Sequence, residues 1–161
     1  MQTRLLHDGD MRQAISLAVI DFYEETGKYP SYEDATFPFE NMTVDDCILG
    51  AFDHSRLIGL IIARKEDNGS YDLCNLYVDP SYRRQGIGKQ LFQGILNIVD
   101  STSPQQPTTL KVQKSKPFLK RLYEDFGFNA CKQGILPRIF KNLQPMERAP
   151  VFENTPSELT P

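Results

Sequence analysis

The sequence predicts an α+β domain in which helices pack on a mixed central sheet. Apolar residues recur at helical spacing in three separated stretches, short β-rich runs are linked by turn signals, and the two patterns interleave along the chain. The resulting order is helix, loop, three antiparallel strands, helix, strand, helix and two strands.

The first helix is expected from about Asp10 to Thr26, because Met11, Ala14, Ile15, Ala18 and Phe22 share one helical face and Gly27 offers a stop. After it, KYPSYEDATFPFENMTVDD mixes prolines, aromatics and acids without a period, and a connection this long is more often functional than idle. DCILGAF and RLIGLIIARK are β-rich runs joined at Asp53-His54-Ser55. RLIGLIIARK then meets YDLCNLYV across Asn68-Gly69, a strong hairpin signal. Behind Asp79-Pro80 a helix begins in YRRQGIGKQLF, carries the stripe Ile87, Leu91, Ile95 and Ile98, and ends around Asp100. TTLKV is a short strand. From Pro117 to Phe126 the positions Phe118, Leu119, Leu122, Tyr123 and Phe126 form a further helix, closed by Gly127. FNAC and ILPRIFKNL read as two last strands. Proline recurring among polar residues then places a loosely held tail at 144–161 behind a single domain at 1–143.

Composition narrows the function classes. With 40% hydrophobic and 24% charged residues, the 161-residue chain has the make-up of an ordinary soluble domain. No stretch approaches the roughly 20 apolar residues of a membrane span. MQTRLLHDGDMRQAI lacks the basic-then-apolar pattern of a secretory signal, so a cytoplasmic location is expected. Cys47, Cys74 and Cys131 are odd in number and far apart, the habit of reduced, buried thiols. With only His7 and His54 besides, no metal centre is expected. A net charge of −3 argues against a nucleic-acid partner, which needs many phosphates neutralised.

The two glycines of YRRQGIGKQLF raise the central question, since glycine disfavours helix by about 1 kcal/mol relative to alanine. A helix start exposes unpaired N–H groups and a partial positive charge; bare backbone there, flanked by Arg83 and Arg84, suits an anion such as a pyrophosphate. The competing reading is tight helix packing. Two familiar phosphate motifs do not fit. A dinucleotide-binding Gly-x-Gly-x-x-Gly would need glycine where Leu91 stands, and a P-loop would need glycine at Arg83 and Ser or Thr at Gln90.

What does match is Arg/Gln-x-x-Gly-x-Gly/Ala behind a strand and VDPSYR. Here the sequence resembles the GNAT superfamily of acyl-coenzyme A dependent N-acyltransferases. NLYVDPSYRRQGIGKQLFQGIL resembles the coenzyme-binding core, FLKRLYEDFGF the following helix with its tyrosine, and IFKNL the closing strand, together covering roughly Asp45 to Leu143. The resemblance implies a central, mostly antiparallel sheet of six to seven strands flanked by about four helices. It also implies transfer of acetyl from acetyl-coenzyme A to an amine acceptor, a small molecule or a protein amine, with homodimers occurring among relatives. A non-catalytic acyl-coenzyme A binding module of the same fold is the alternative.

Roles follow from the resemblance position by position. The backbone of Arg83, Arg84, Gln85, Gly86, Ile87, Gly88 and Lys89 would hold the pyrophosphate. That of Leu76, Tyr77 and Val78 would line the pantetheine like an added strand, with the Leu76 amide toward the acetyl oxygen. Tyr123 matches the tyrosine that protonates the leaving sulfur, although its place on an apolar stripe equally suits a core residue. Asp72 stands where several members carry a general base; a solvated carboxylate past the Asn-Gly turn is the other reading. Strand alternation is expected to put Asp72, Cys74, Leu76 and Val78 on one face. The chain departs from the family at Lys116 and Leu119, where asparagine and a small residue are frequent. Lys111, Lys114, Lys116, Lys120 and Arg121 could meet a ribose phosphate or form a wetted face. The first helix and residues 28–43 should wall the acceptor side, where Tyr29, Tyr32, Phe37 and Phe39 either form an aromatic mouth with Glu33, Asp34 and Glu40 or pack against the sheet.

Overall fold

A computed structural model describes residues 1–131 and 142–151. The strands are β1 (Gln2–Leu5), β2 (Cys47–Asp53), β3 (Arg56–Lys65), β4 (Tyr71–Val78), β5 (Thr108–Gln113), β6 (Asn129–Ala130) and β7 (Leu143–Arg148). The helices are α1 (Met11–Thr26), α2 (Tyr32–Thr36), α3 (Ile87–Thr102) and α4 (Pro117–Asp125). Among the described residues the strands form one sheet in the order β1-β2-β3-β4-β5-β7-β6. It is mostly antiparallel, β4 and β5 being the parallel pair. The expected fold class is therefore the one observed.

The chain separates into two compact units, one made of Met1–Arg64 with Cys74–Asn97, the other of Lys65–Leu73 with the described residues from Ile98 onward. In the first, β3 is buried over seven successive residues, which accounts for its unbroken apolar run: both of its faces are covered. Ala14, Leu17 and Ala18 of α1 pack with Ile48, Phe52, Leu57, Leu60, Ile62 and Tyr77 on one face. On the other lies α3, close enough that a Cβ on Gly94 would meet Leu49 at 2.6 Å and one on Gly59 would meet Leu91 at 3.0 Å. The buried stripe of α3 runs Ile87, Leu91, Ile95 and Val99, so its last member is Val99 rather than the expected Ile98.

Several boundaries agree with expectation. Gly27 closes α1 with a left-handed φ of 69°, and Gly127 follows α4 with φ 92°. The β2–β3 hairpin turns at His54-Ser55, with Asp53 opposite Arg56. Three features differ. β1 was not expected, because QTRL carries neither alternation nor β-branching beyond Thr3; it is set by pairing with β2. The connection after α1 holds a short helix, capped by Ser31 Oγ accepting from the Asp34 amide at 3.1 Å. Residues 144–148, expected in the tail, continue β7 between β5 and β6, where Met146 is fully buried opposite Leu110. The prolines misled there, since Pro145 sits in the ladder opposite Lys111. Most of the expected strand ILPRIFKNL, and tail residues 152–161, lie outside the described residues.

One buried ion pair joins the start of α1 to the sheet edge. Asp10 is buried, accepts two hydrogen bonds from Arg4 of β1 at 2.8 and 3.0 Å and one from the His7 amide at 3.0 Å. The Arg4 guanidinium, aided by that amide, holds the Asp10 carboxyl far below the ordinary carboxylate range. A depressed folded pKa contributes stability that is present above the ordinary pKa of about 4 and lost as pH falls through and below it. Asp10→Asn should therefore lower Tm by roughly 3 to 6 °C at pH 7 and progressively less toward pH 3, as thermal melts across pH would show.

Candidate coenzyme and catalytic residues

The turn from β4 into α3 is built by local hydrogen bonds before any ligand is considered. Asp79 is buried, its amide donates to the Ile58 carbonyl at 2.8 Å, and its Oδ1 accepts from the Ser81 amide at 2.9 Å, opening a 3-10 turn at Pro80–Tyr82. Arg56 pairs with its Oδ2 at 2.9 Å, and the Tyr82 hydroxyl donates to Asp53 at 2.8 Å. Arg83 then acts as a clamp: its Nε donates to the Val78 carbonyl at 3.1 Å and its Nη2 meets Glu24 of α1 at 2.6 Å. These bonds tie the loop to β2, β3, β4 and α1.

Held this way, the chain adopts left-handed φ angles at Arg84 (63°) and Gly86 (80°). For Arg84 that conformation costs on the order of 1–2 kcal/mol, strain of a kind found at functional sites. A Cβ on Gly86 would meet no atom within 4 Å, and one on Gly88 would come no nearer than 3.9 Å to Leu76 and 4.0 Å to Val78. Protein packing therefore explains neither glycine, in contrast to Gly94, and the packing reading is set aside. The amides of Ile87, Gly88 and Lys89 occupy the first turn of α3, where helix geometry supplies no acceptor. Amides of this kind at a helix start, behind bare backbone, are chemically suited to an anion.

The strand leading into the turn carries a feature that alternation missed. Asn75 lies inside β4 with φ 54°, and it changes which side chains share a face. Cys74 and Tyr77 pack with the α1 cluster, whereas Leu76 and Val78 approach Gly88 at the start of α3. The expected single face of Asp72, Cys74, Leu76 and Val78 is thus broken at Asn75. Asparagine tolerates the left-handed region better than other non-glycine residues, which gives that position its chemical sense. The Asn75 amide nitrogen donates to the Tyr77 hydroxyl at 2.9 Å, and burial, with Asp21 of α1 adding to it, pushes that phenol far up.

The second unit holds Asp72 and Tyr123. Asp72 lies opposite Thr109 in the parallel pairing of β4 with β5, which runs from Tyr71 opposite Thr108 to Leu73 opposite Leu110. Its Oδ1 accepts from Thr109 Oγ1 at 2.8 Å, and Lys111 Nζ stands 3.9 Å from Oδ2. Burial raises its pKa against the pull of Lys111 and Thr109, so it is no freely solvated carboxylate. Tyr123, buried on α4, has its phenol pushed up to about 12 by burial. The amides of Phe126 and Phe128 both donate to its carbonyl at 3.1 Å, fixing the Gly127 turn around it.

Other expectations resolve as follows. Among the described residues Cys47, Cys74 and Cys131 form no disulfide, and they are half-buried. His54 is exposed at the hairpin tip, bonded to Asp53 at 3.0 Å. Of the four aromatics after α1, Phe39 packs on the core while Tyr29, Tyr32 and Phe37 are exposed. Among the described residues no helix is long and apolar enough to cross a membrane. Sequence reading missed Glu24, Asn75 and Thr109. Asn75 alone left a trace, as a poor strand former inside a β-rich run.

No curated protein sequence matches the chain. Among solved structures, an acetyltransferase of the GNAT family from Staphylococcus aureus Mu50 is similar with a TM-score of 0.74 at 19% identity, over 91% of this chain and 97% of its own. The PaiA N-acetyltransferase from Thermoplasma acidophilum, solved in complex with coenzyme A, gives 0.71 at 21%, over 92% and 99%. An aminoglycoside 6'-acetyltransferase type Ii gives 0.75 at 21%, over 96% and 100%. The model of the Acetyltransferase (GNAT) domain family matches residues 29–147, from the connection after α1 to the penultimate residue of β7. By that match the chain belongs to the GNAT acetyltransferase family and is an acyltransferase.

Proposed function

We propose that the protein transfers the acetyl group of acetyl-coenzyme A to a primary amine by direct attack within a ternary complex. The observation that carries this reading is the start of α3, where a strained, clamped turn presents first-turn amides over two glycines that packing does not require. The PaiA relative binds coenzyme A, which supports the same ligand class here.

The donor supplies an electrophilic thioester carbon and a thiolate leaving group. Amides between Arg83 and Lys89 would hold its pyrophosphate, with the Arg83 side chain engaged in clamping the loop. The backbone of Leu76, Tyr77 and Val78 would line the pantetheine, and the Leu76 amide would donate to the carbonyl oxygen as negative charge develops, a fixed dipole that needs no reorganisation. The amine lone pair forms the new C–N bond, the C–S bond breaks, and two protons must be placed. Asp72 takes the first from the incoming ammonium, freeing the lone pair; the second leaves the acylated nitrogen to solvent, from which the Tyr123 phenol is restored after it has protonated the sulfur. Burial raises its basicity above that of an ordinary carboxylate, and the Thr109 hydroxyl orients it. Tyr123 gives a proton to the sulfur. Its phenol is held in the donor form at every working pH. Donation to a thiol of about 8.5 in water would be uphill, but a thiolate leaving into equally dry surroundings is raised by the same desolvation.

Thiol release from acetyl-coenzyme A with an amine panel tests the activity. Tyr123→Phe should lower kcat by about 100-fold or more while coenzyme A still raises Tm. If wild type and variant are equally inert with that thermal shift intact, the protein is a non-catalytic acyl-coenzyme A binding module. The kcat of the wild type should rise with pH as Asp72 loses its proton, with an inflection above the ordinary carboxylate value of about 4. Asp72→Asn should abolish that limb.

The two glycines separate binding from folding. Gly88→Ala places a methyl in ordinary contact and removes a poor helix former, so Tm should be unchanged or higher, yet calorimetry should find coenzyme A bound at least tenfold more weakly. Coenzyme affinity unaltered by Gly88→Ala would remove this helix start from the site.

A further inference from the structure

The connection after α1 is folded and anchored, yet it turns large aromatic rings outward. Ala35 of α2 is buried, Phe39 and Met42 pack on the core, and Arg64 of β3 donates to the carbonyls of Pro38 and Glu40 at 2.7 and 2.8 Å. On this support Tyr29, Tyr32 and Phe37 are 77%, 80% and 72% exposed, and Tyr29 stacks at 4.8 Å on the half-exposed Tyr23 of α1. Each such ring would bury on the order of 150–250 Å² in a complex, so leaving three in water on an anchored element forgoes favourable area unless something covers them.

Charge indicates what covers them. Between Asp21 and Asp46 the sequence carries eight carboxylates and one cation, Lys28, a balance of −7 in a chain whose total is −3. Glu33, Asp34 and Glu40 are exposed among the rings. Aromatic faces edged by carboxylates suit lysine and arginine side chains, which stack on the rings and pair with the acids. The rings are spread over the connection before α2, the start of α2 and the 3-10 turn behind it (Phe37–Phe39), and three such faces exceed what one small polyamine covers, which favours a polypeptide with repeated cations. The same α1 reaches the glycine turn through Glu24 and Arg83, so a ligand docked here lies beside the loop assigned to the donor.

We propose that this aromatic, acidic surface docks a basic polypeptide segment, and that the acceptor amine is presented on it. This rests on the acetyltransferase reading for its consequence, but binding itself is measured without turnover. The probe is a short fluorescein-labelled peptide rich in lysine and arginine, read by anisotropy on the full chain, beside its glutamate-substituted counterpart. Wild type should bind the basic peptide, more weakly as salt rises, and ignore the acidic one. The triple variant Tyr29→Ala/Tyr32→Ala/Phe37→Ala and the double variant Glu33→Lys/Asp34→Lys should each bind at least about tenfold more weakly while coenzyme A still raises Tm. The proposal is overturned if both peptides bind alike or if neither variant loses affinity. It is likewise overturned if spermine displaces the peptide fully at equal concentration, or if light scattering shows a dimer that the triple variant makes monomeric. Peptide binding in a protein that coenzyme A does not stabilise would uphold the surface and remove the acetyltransferase reading instead.

Discussion

The structure of the glycine loop depends on one constraint: the chain must leave β4 and enter α3 through a left-handed turn with no side-chain cap at Gly86. A helix start usually recruits a side-chain cap to satisfy its first-turn amides, and a Ser, Thr, Asp or Asn at position 86 would do so. Gly86 instead supplies the left-handed φ and no cap. The turn must then be held by other means, and the caps and ion pairs are displaced one step upstream. Asp79 caps the preceding 3-10 turn, Arg56 neutralises it, and Arg83 grips both the end of β4 and α1. Side-chain bonds hold the loop from around it, while the first-turn amides of α3 are left to helix geometry, which gives them no acceptor.

The same division appears in the titratable groups. Asp10 and Asp79 are buried carboxylates met by arginine, and their work is to join elements. Asp72 is also half-buried, but it meets a hydroxyl and a lysine ammonium at 3.9 Å, and desolvation outweighs both. Arginine holds the Asp10 carboxyl far below the ordinary range, whereas burial only partly offset by Lys111 and Thr109 makes Asp72 more basic than an ordinary carboxylate. Tyr123 is the complementary case, a phenol that burial keeps protonated. Both shifts run upward from burial: one leaves a carboxylate more basic, the other keeps a phenol in its donor form.

Much of the fold was legible because its signals are local. Helical periodicity located α1, α3 and α4, and Asn-Gly and Gly punctuation located the turns, since a left-handed φ has few chemical solutions. β1 and β7 escaped because neither carries its own pattern: QTRL and LQPMER are strands through their partners, and Pro145 spoke against the second. The glycine loop was legible because backbone recognition demands glycine at fixed spacing. Glu24 was not, for an ion pair between α1 and a loop 59 positions later leaves no trace in either segment. The exposure of Tyr29, Tyr32 and Phe37 was equally hidden, since an aromatic, acidic segment reads alike whether its rings face inward or outward; only the burial of Ala35 and Phe39 beneath them decides it.

Asn75 shows why side-chain arguments failed on β4 while backbone arguments did not. A single left-handed residue inside the strand reverses the alternation, so Cys74 and Tyr77 share the α1 face and Leu76 and Val78 turn to α3. Any role assigned by parity across that point inverts. Main-chain groups are untouched by that inversion, because the amide of Leu76 and those of the first turn of α3 are placed by the path of the chain, whatever side chains hang from it. Recognition through backbone, as proposed for the donor, would therefore tolerate wide change in sequence; solved structures near 20% identity share the fold. Recognition through side chains has no such shelter: the exposed rings and carboxylates between Asp21 and Asp46, proposed above as the acceptor surface, would change with each substitution there.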